Sequence, residues 1–228
     1  MKKELIVARY NENIDWVYEV DASVESIIVY NKGKNLISKD SRVRVVELNN
    51  AGREAHTYIH HFLHNRNRLA DITFTSQGNP FEHSPDFINR LAVDYDTLKS
   101  LSMRYTTQWP LENVTSKDMV EFYKGFEIRY GDMNYFGHRD AQTTRLWFEK
   151  MWKMMFVNPV PSDYYYGYSA MWAIPKGRIL VRSHQFWMYF YEILSHQYSI
   201  EAYSCSIDAW GFEAMWHAIF TPSYTARF

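Results

Sequence analysis

The sequence predicts a single α/β domain with a mainly parallel central sheet flanked by helices. Two observations support this fold class. Short β-branched runs in the first third of the chain are separated by polar or glycine-containing loops and by one amphipathic segment, which is the strand–helix–strand alternation that builds parallel sheets. The length of 228 residues also fits one core, because the buried fraction of a chain rises with its size.

Four strands and one helix account for the N-terminal third. The helix is predicted over Arg53 to Asn65, where apolar side chains recur every three or four residues. Asn50 is a candidate cap for it, because an asparagine side chain accepts hydrogen bonds from the free N–H groups of a first helical turn. The predicted strands, rich in β-branched residues, are Leu5 to Ala8, Ile27 to Tyr30, Val43 to Val46 and Ile72 to Thr75.

Further helices and one more strand are predicted downstream. Ser84, as a cap before Pro85, marks the start of a helix. Amphipathic spacing predicts helices over Thr143 to Phe156 and Ser183 to His196, and the apolar run Ser169 to Ile174 predicts a buried strand between them.

Composition narrows the function classes. Lys and Arg number 25 against 26 Asp and Glu, so counterion release from a nucleic-acid backbone is not a strong overall driving force. Cys205 is the only cysteine, which excludes an intrachain disulfide and predicts a reducing, cytoplasmic setting. The apolar run Leu5 to Ala8 is too short for a signal peptide, and we expect a soluble protein.

Polar side chains follow the first two strands, at the edge where parallel sheets bind ligands. Arg9 can pair with a phosphate and Asn11 with a base or ribose, or both can belong to an ordinary turn. The loop after the second strand, with Asn31 and Lys32, can likewise be a ligand-binding loop or an ordinary turn. The candidate nucleotide-binding residues of these two loops are Ala8, Arg9, Tyr10, Asn11, Asn31 and Lys32.

A glycine before the predicted helix marks a second part of this candidate site. Gly52 leads into the helix N-terminus, where exposed N–H groups and the helix dipole favour an anion such as a diphosphate. Arg53 adds a planar set of donors for a phosphate. Asn49 belongs to the same loop.

The loop after the fourth strand is also polar. It contains Gln77, Gly78 and Asn79, and His83 follows shortly after. Side-chain oxygens and an imidazole can hold a divalent ion or a pyrophosphate. A plain polar turn is the structural alternative.

One further pair of candidate functional residues lies near the C-terminus. Glu213 and His217 are four residues apart, which places them on one face of a helix. The pair suits a general base and a metal ligand, or a buried ion pair.

Several of these segments resemble, in order and spacing, a family of uncharacterised domains related to type A glycosyltransferases. The resemblance spans most of the chain, with residues 100 to 165 covered least. It is carried by Val7-Ala8-Arg9-Tyr10-Asn11-Glu12 with Asp15-Trp16, Tyr30-Asn31-Lys32-Gly33, Asn49 to Tyr58, Gln77-Gly78-Asn79-Pro80 with His83, Ala170 to Ile174, Arg178-Ile179, Phe190-Tyr191 and Glu213 to Phe220.

The resemblance implies a Rossmann-like transferase domain that binds a nucleoside diphosphate sugar, a UDP-sugar first of all, together with Mn²⁺ or Mg²⁺. It implies a nucleotide-binding half over about residues 1–95 and a half for catalysis and for a carbohydrate or other hydroxyl acceptor over about residues 96–228. On this resemblance Glu213 is the catalytic carboxylate. The metal ligands are then Gln77, Asn79, His83 and His217.

The sequence departs from the family pattern at the metal-binding motif. Type A glycosyltransferases usually hold the ion with an Asp-x-Asp motif after a central strand, whereas the fourth strand here ends in Gln77-Gly78-Asn79. The only Asp-x-Asp in the chain, Asp94-Tyr95-Asp96, follows a helical segment. We therefore interpret it as unrelated to metal binding.

Two other functions fit the same residues. The acceptor can be a nucleic acid, as in viral enzymes that glycosylate hydroxymethylated bases, with basic and aromatic residues of Lys99 to Trp109 or Lys117 to Arg129 forming a groove. A non-catalytic carbohydrate-binding or scaffold protein that lacks the acidic metal motif is the alternative from a different class.

Overall fold

A computed structural model of the protein describes residues 1–102, 114–115, 149–160, 163–164, 169–196 and 206–228, with the backbone alone for 114–115, 163–164, 206–210 and 214. Within these residues six strands form one sheet. They are β1 (Lys3–Arg9), β2 (Ser26–Asn31), β3 (Val43–Glu47), β4 (Ile72–Gln77), β5 (Lys99–Ser100) and β8 (Trp172–Pro175), and β6 (Val114–Thr115) pairs separately with β7 (Asp163–Tyr164).

The sheet has the order β3-β2-β1-β4-β8-β5. β1 runs parallel to β2 and β4, and β2 runs parallel to β3. β8 runs antiparallel to both β4 and β5. From β1 the chain adds β2 and then β3 on one side of β1, and it then returns to add β4 on the other side of β1. The direction in which strands are added therefore reverses between β1 and β4.

Helices cover both faces of this sheet. Side chains alternate along β1, so that Ile6 and Ala8 face one core while Leu5 and Val7 face the other. The first core is closed by α1 (Arg53–His64), α3 (Lys176–Leu180), α4 (His184–Ser195), α5 (Ser206–Ile219) and the helical residues 149–155. The second is closed by the 3₁₀ turn Asp15–Glu19 and by α2 (Phe87–Leu91).

The predicted α/β class with a mainly parallel sheet is confirmed. The first four strands, α1 and α4 lie within one or two residues of their predicted bounds. Residues 149–155 of the helix predicted over Thr143 to Phe156 are helical, and the earlier part of that range lies outside the described residues. Of the segments considered for nucleic-acid binding, Lys117 to Arg129 and most of Lys99 to Trp109 also lie outside them.

Three local predictions are wrong. The helix expected to be capped by Ser84 begins at Phe87, after Asp86, because the turn Pro80 to Ser84 is followed by a second turn, in which the Phe87 N–H donates to the Ser84 carbonyl at 3.0 Å. Asn50 does not cap α1, whose N-cap is Gly52 in the left-handed conformation. The predicted strand Ser169 to Ile174 pairs only from Trp172, because Ser169 has a positive φ that is incompatible with a strand.

In the part of the chain that the structure describes, no helix has the length and apolarity needed to cross a bilayer.

Candidate functional site

The carboxyl ends of β1, β2 and β4 meet at one edge of the sheet. Ala8 at the end of β1 pairs with Tyr30 on one side and with Gln77 on the other. This edge includes the point where the strand order reverses, and open α/β sheets bind their ligands in the crevice outside such a point. We call this edge, together with the N-terminus of α1, the rim.

Arg9 and Asn31 lie side by side under the rim. Arg9 is 8% exposed and Asn31 is 0% exposed. Arg9 Nη1 donates to Asn31 Oδ1, and Arg9 Nε donates to the carbonyl of Glu12 at 3.0 Å. Asn31 Nδ2 donates to both carboxylate oxygens of Glu47, each at 3.0 Å. These two predicted nucleotide-binding residues therefore join the loops after β1 and β2.

Tyr10 and Asn11 occupy the outer side of the same loops. The Tyr10 ring is 44% exposed, and its backbone N–H donates to the carboxylate of Glu12 at 2.7 Å. Asn11 Oδ1 accepts the N–H of Lys34 at 2.9 Å. Tyr10 and Asn11 are therefore both exposed on the outer side of the rim.

Gly78 brings the loop after β4 against the loop after β1. A Cβ at this position would lie 2.6 Å from Glu12 Oε2, so a larger residue here would displace the Glu12 side chain. The Gly78 carbonyl accepts a hydrogen bond from Trp16 Nε1 at 2.9 Å. Gln77 Nε2 donates to the carbonyl of Asn79 at 2.6 Å. The two loops that border the strand-order reversal are therefore in direct contact.

The N-terminus of α1 completes the rim. Gly52 has a φ of 52° and Arg53 has a φ of 49°, so the backbone turns sharply into the helix. Lys32 Nζ, from the loop after β2, donates to the carbonyls of Ala51 at 2.6 Å and Arg53 at 2.5 Å. Asn49 is exposed just before this turn. The lysine thus ties the end of β2 to the predicted diphosphate loop.

Glu213 reaches the same place from α5. Its Oε1 accepts the backbone N–H of Ser169 at 3.0 Å, in the segment that leads into β8. α5 packs against α1, with the ring centroids of Trp216 and Tyr58 6.0 Å apart, and the charges of Glu54 and Arg53 act on the Glu213 carboxyl. The structure therefore brings the predicted catalytic carboxylate and the predicted diphosphate loop together.

Two groups at the rim change charge near neutral pH. Burial raises the pKa of Glu213 to about 7, and the negative charge of Glu54 raises it further in the same direction. Burial lowers the pKa of Lys32 to about 7, although Glu54 acts against this change. A carboxyl group with such a pKa can both accept and release a proton at neutral pH.

Backbone strain is concentrated around Glu213. Among the described residues, the non-glycine residues with positive φ are Arg53, at 49°, and Ser169, at 70°. Arg53 acts on the Glu213 carboxyl through its charge, and Ser169 donates a hydrogen bond to it. Such a conformation costs about 1–3 kcal/mol, and strained residues of this kind cluster at functional sites. The strain therefore singles out the surroundings of Glu213.

A family model covers residues 5–227 of the chain, and its description is "Protein of unknown function (DUF3431)". The chain belongs to the DUF3431 family. No curated protein and no solved structure matches the chain. The match confirms membership of an uncharacterised domain family, and the relation of that family to glycosyltransferases remains a prediction.

The predicted metal ligands of this DUF3431 protein come from two places. Gln77, Asn79 and His83 lie in the loop after β4, whereas His217 lies on α5 with its ring centroid 6.4 Å from that of Trp172. Burial, and then the charge of Arg178, lower the pKa of His217 to about 4. No group of three or more His, Cys, Asp or Glu residues in the described ranges is arranged to hold a metal ion.

The Asp-x-Asp motif of the DUF3431 chain lies elsewhere. Asp94 Oδ1 forms an ion pair at 2.7 Å with Nζ of Lys3, the first residue of β1. The motif is therefore at the amino end of the parallel strands, the edge opposite the rim.

Sequence patterns did not point to Ser169, Glu54 or Tyr58. The left-handed conformation of Ser169 has no signature in residue type, and an acidic residue such as Glu54 is ordinary in a first helical turn. Tyr58 fits the apolar face of α1, yet burial and the charges of Glu54 and Glu213 raise the pKa of its hydroxyl. Ser169 donates a hydrogen bond to the Glu213 carboxyl, whereas Glu54 and Tyr58 interact with it through charge.

Proposed function

We propose that this protein is a glycosyltransferase that transfers a sugar from a nucleoside diphosphate sugar to a hydroxyl acceptor. The observation that carries the proposal is the position of Glu213. Its carboxyl accepts a hydrogen bond from the strained residue Ser169, and burial and the charge of Glu54 raise its pKa to about 7. The resemblance in the sequence supplies the substrate class.

The diphosphate of the donor would lie at the N-terminus of α1. Free N–H groups at a helix start and the helix dipole stabilise an anion. Arg53 is exposed there, and the charge of Lys32 is close by, since this lysine bonds the carbonyls of the same turn. These groups favour the negative charge that develops on the leaving diphosphate.

Glu213 would act as the base for the acceptor. The acceptor oxygen attacks the anomeric carbon, the bond from that carbon to the diphosphate oxygen breaks, and the proton of the acceptor hydroxyl moves to the Glu213 carboxylate. Ser169 N–H fixes one carboxylate oxygen at 3.0 Å, so the carboxyl is oriented before a substrate binds. Arg9 and Asn31 shape the rim without contacting the reacting atoms.

The predicted Mn²⁺ or Mg²⁺ does not fit this rim well. The ligands expected after β4 are two amides and an imidazole, whereas these hard cations prefer carboxylate oxygens. The Gln77 amide is also bonded to the carbonyl of Asn79. We therefore assign the charge stabilisation to Arg53, Lys32 and the α1 N-terminus, and derive no step through a metal.

A donor screen tests the proposal. UDP-, GDP- and dTDP-sugars are added to the protein with and without Mn²⁺, and the Tm is measured. A ligand that binds only the folded state raises the Tm, so one class of donor should stabilise the protein in both conditions. A panel without any stabilising donor would contradict the proposal.

Catalysis is tested with Glu213→Gln. Slow hydrolysis of the stabilising donor is measured for the wild type, for Glu213→Gln and for Glu25→Gln, whose carboxyl is exposed at the opposite edge of the sheet. We expect Glu213→Gln to bind the donor and lose about 100-fold or more in rate, with Glu25→Gln unchanged. Equal hydrolysis by all three proteins would favour the non-catalytic carbohydrate-binding alternative.

A further inference from the structure

The side chain of Lys32 extends from the loop after β2 to the start of α1. Its Nζ donates to the backbone carbonyls of Ala51 at 2.6 Å and Arg53 at 2.5 Å. Its backbone N–H donates to the carbonyl of Arg9 at 2.9 Å, which fixes the loop that carries it. In the described ranges no carboxylate lies within ion-pair distance of this ammonium. Backbone oxygens are therefore the groups that hold the charge of Lys32.

The two carbonyls belong to the strained turn before α1. Gly52 and Arg53 have consecutive positive φ values of 52° and 49°, so the chain departs from helical geometry at both residues. The Gly52 carbonyl accepts the His56 N–H at 3.0 Å. The carbonyls of Ala51 and Arg53 are bonded to the Lys32 ammonium instead. Carbonyl oxygens are ligands for hard cations, and we call these two oxygens the carbonyl pair.

The start of α1 is an unfavourable place for a cation unless an anion is also present. The free N–H groups and the dipole at a helix N-terminus carry partial positive charge, and cations are stabilised at the opposite end of a helix. Glu54 acts on Lys32 through its charge and offsets part of this repulsion. Burial of the amine still lowers its pKa to about 7. An anionic ligand at this turn would offset the rest, so the arrangement favours an anion such as a diphosphate.

The metal ion expected from the family resemblance has poor ligands. The loop after β4 offers the amides of Gln77 and Asn79 and the imidazole of His83, whereas Mn²⁺ and Mg²⁺ prefer carboxylate oxygens. No group of three or more His, Cys, Asp or Glu residues in the described part of the chain is arranged for a metal. We propose that the Lys32 ammonium takes the place of this ion: held on the carbonyl pair, it is the built-in cation that binds the donor diphosphate, and the transferase needs no metal.

The carbonyl pair leaves one donor of Lys32 for the ligand. A lysine ammonium has three N–H groups, and two of them are used by the carbonyl pair. When the bond between the anomeric carbon and the diphosphate oxygen breaks, that oxygen gains negative charge, and a fixed ammonium stabilises it. Lys32 keeps its proton, so the diphosphate leaves as an anion and the only proton transferred is that of the acceptor hydroxyl. This role rests on the proposed function, whereas the binding of a cation by the carbonyl pair does not.

The carbonyl pair is tested without any donor. Lys32→Ala removes the ammonium, and propylammonium chloride supplies a cation with the length of the lost fragment. Its effect on the Tm is measured for the wild type, for Lys32→Ala and for Lys176→Ala, which truncates a half-buried lysine at the opposite edge of the sheet. Tetramethylammonium chloride, at equal concentration, has the same charge and no N–H donor.

We expect propylammonium to raise the Tm of Lys32→Ala and of neither other protein, because a ligand that binds only the folded state stabilises it. Tetramethylammonium should not have this effect. The same response to propylammonium in all three proteins would show that the carbonyl pair is not a cation site, and would overturn the proposal.

The role at the diphosphate is tested by hydrolysis of the stabilising donor in EDTA and in Mn²⁺. Lys32→Met keeps most of the side-chain volume without an N–H donor, and Lys176→Met is the control. We expect the wild type and Lys176→Met to have the same rate in both solutions, and Lys32→Met to lose about 100-fold or more in both. Lys32→Arg, which keeps a positive charge and N–H donors, should retain more activity than Lys32→Met. A fully active Lys32→Met would contradict the proposal.

The two experiments separate a failure of this inference from a failure of the proposed function. If a donor binds and is hydrolysed only with Mn²⁺, the proposed function stands and the built-in cation is wrong. If no donor stabilises the wild type, the proposed function fails together with the role of Lys32 at the diphosphate. The response to propylammonium then still decides whether the carbonyl pair binds a cation.

Discussion

The carboxyl group of Glu213 holds its proton more tightly in the folded protein than in the unfolded chain. Its pKa rises from 4.5 to about 7, because burial and the charge of Glu54 disfavour the carboxylate. The folded state therefore binds more protons than the unfolded state between these values. As the pH rises from about 4.5 to about 7, this residue progressively lowers the free energy of unfolding, and above that range the loss is constant.

We therefore expect Glu213→Gln to stabilise the protein, with a gain that grows by roughly 2–3 kcal/mol between pH 5 and pH 8. Glutamine keeps an oxygen that accepts the Ser169 N–H but has no charge to desolvate. Urea unfolding at the two pH values measures the gain. An equal effect of Glu213→Gln at both values would mean that Glu213 ionises normally.

Gly52 is the residue on which the turn into α1 depends. A Cβ there would lie 2.8 Å from the Cβ atoms of both His56 and Leu194, and the φ of 52° is unfavourable for any side chain. We expect Gly52→Ala to lower the free energy of unfolding by about 2–4 kcal/mol. Urea denaturation measures the loss.

Gly177 offers a matched control for this substitution. It lies inside α3, and a Cβ added there would meet nothing within 4 Å. Gly177→Ala should therefore raise the free energy of unfolding by about 0.5–1 kcal/mol. If both substitutions had the same effect, the turn at Gly52 would be more adaptable than its contacts indicate.

At the scale of elements, α5 depends on a residue from another part of the chain. Arg182, which is 2% exposed, lies between α3 and α4. Its Nη2 donates to the carbonyls of Ala218 at 2.9 Å and Thr221 at 2.8 Å, and its Nη1 donates to that of Tyr224 at 2.6 Å. The guanidinium thus satisfies the carbonyls that every helix leaves free at its C-terminus.

Arg182→Met should lower the free energy of unfolding by on the order of 3 kcal/mol, because the carbonyls of Ile219 and Tyr224 lose the guanidinium donor and those of Ala218 and Thr221 keep only a backbone N–H. The midpoint of urea unfolding measures this, and Arg44→Met, at an exposed position of β3, serves as the control. Since α5 carries Glu213, we also expect the Arg182 variant to slow the proposed hydrolysis of the donor. An unchanged free energy of unfolding would show that water replaces the guanidinium.

Element bounds were predictable where the physical signal is local. Short β-branched runs located the first four strands, and helical spacing of apolar residues located α1 and α4, because these elements pack on the two cores. The start of α2 and the cap of α1 were not predictable from residue type. Both depend on turns, around Pro80 to Ser84 and at Gly52, that the surrounding structure imposes.

At the scale of the whole molecule, β1 is the centre of the sheet. All seven of its residues are buried, and it pairs on both sides, whereas β3 pairs only with β2 and exposes Arg44 and Glu47. We expect the amides of β1 to exchange with deuterium at least about 10-fold more slowly than those of β3, because β1 opens only with global unfolding. Peptide-level mass spectrometry measures both, and equal rates would contradict this order of stability.

The rim was partly predictable because parallel strands share a carboxyl edge. That rule predicts that the loops at Arg9, Asn31 and Gln77 lie together, and the strand register agrees with it. The rule does not predict the hydrogen bond between Arg9 and Asn31, because that bond depends on the burial of both side chains. The contact between Glu213 and Ser169 joins residues 44 apart, and only tertiary packing determines it.

The reversed direction of β8 has a chemical consequence for this edge. The parallel strands end at this edge, whereas β8 begins near it, so the segment that enters β8 passes along the same edge. Its Ser169 N–H donates to the Glu213 carboxyl. The inverted strand thus supplies the backbone donor that fastens an acidic side chain of α5 to the sheet.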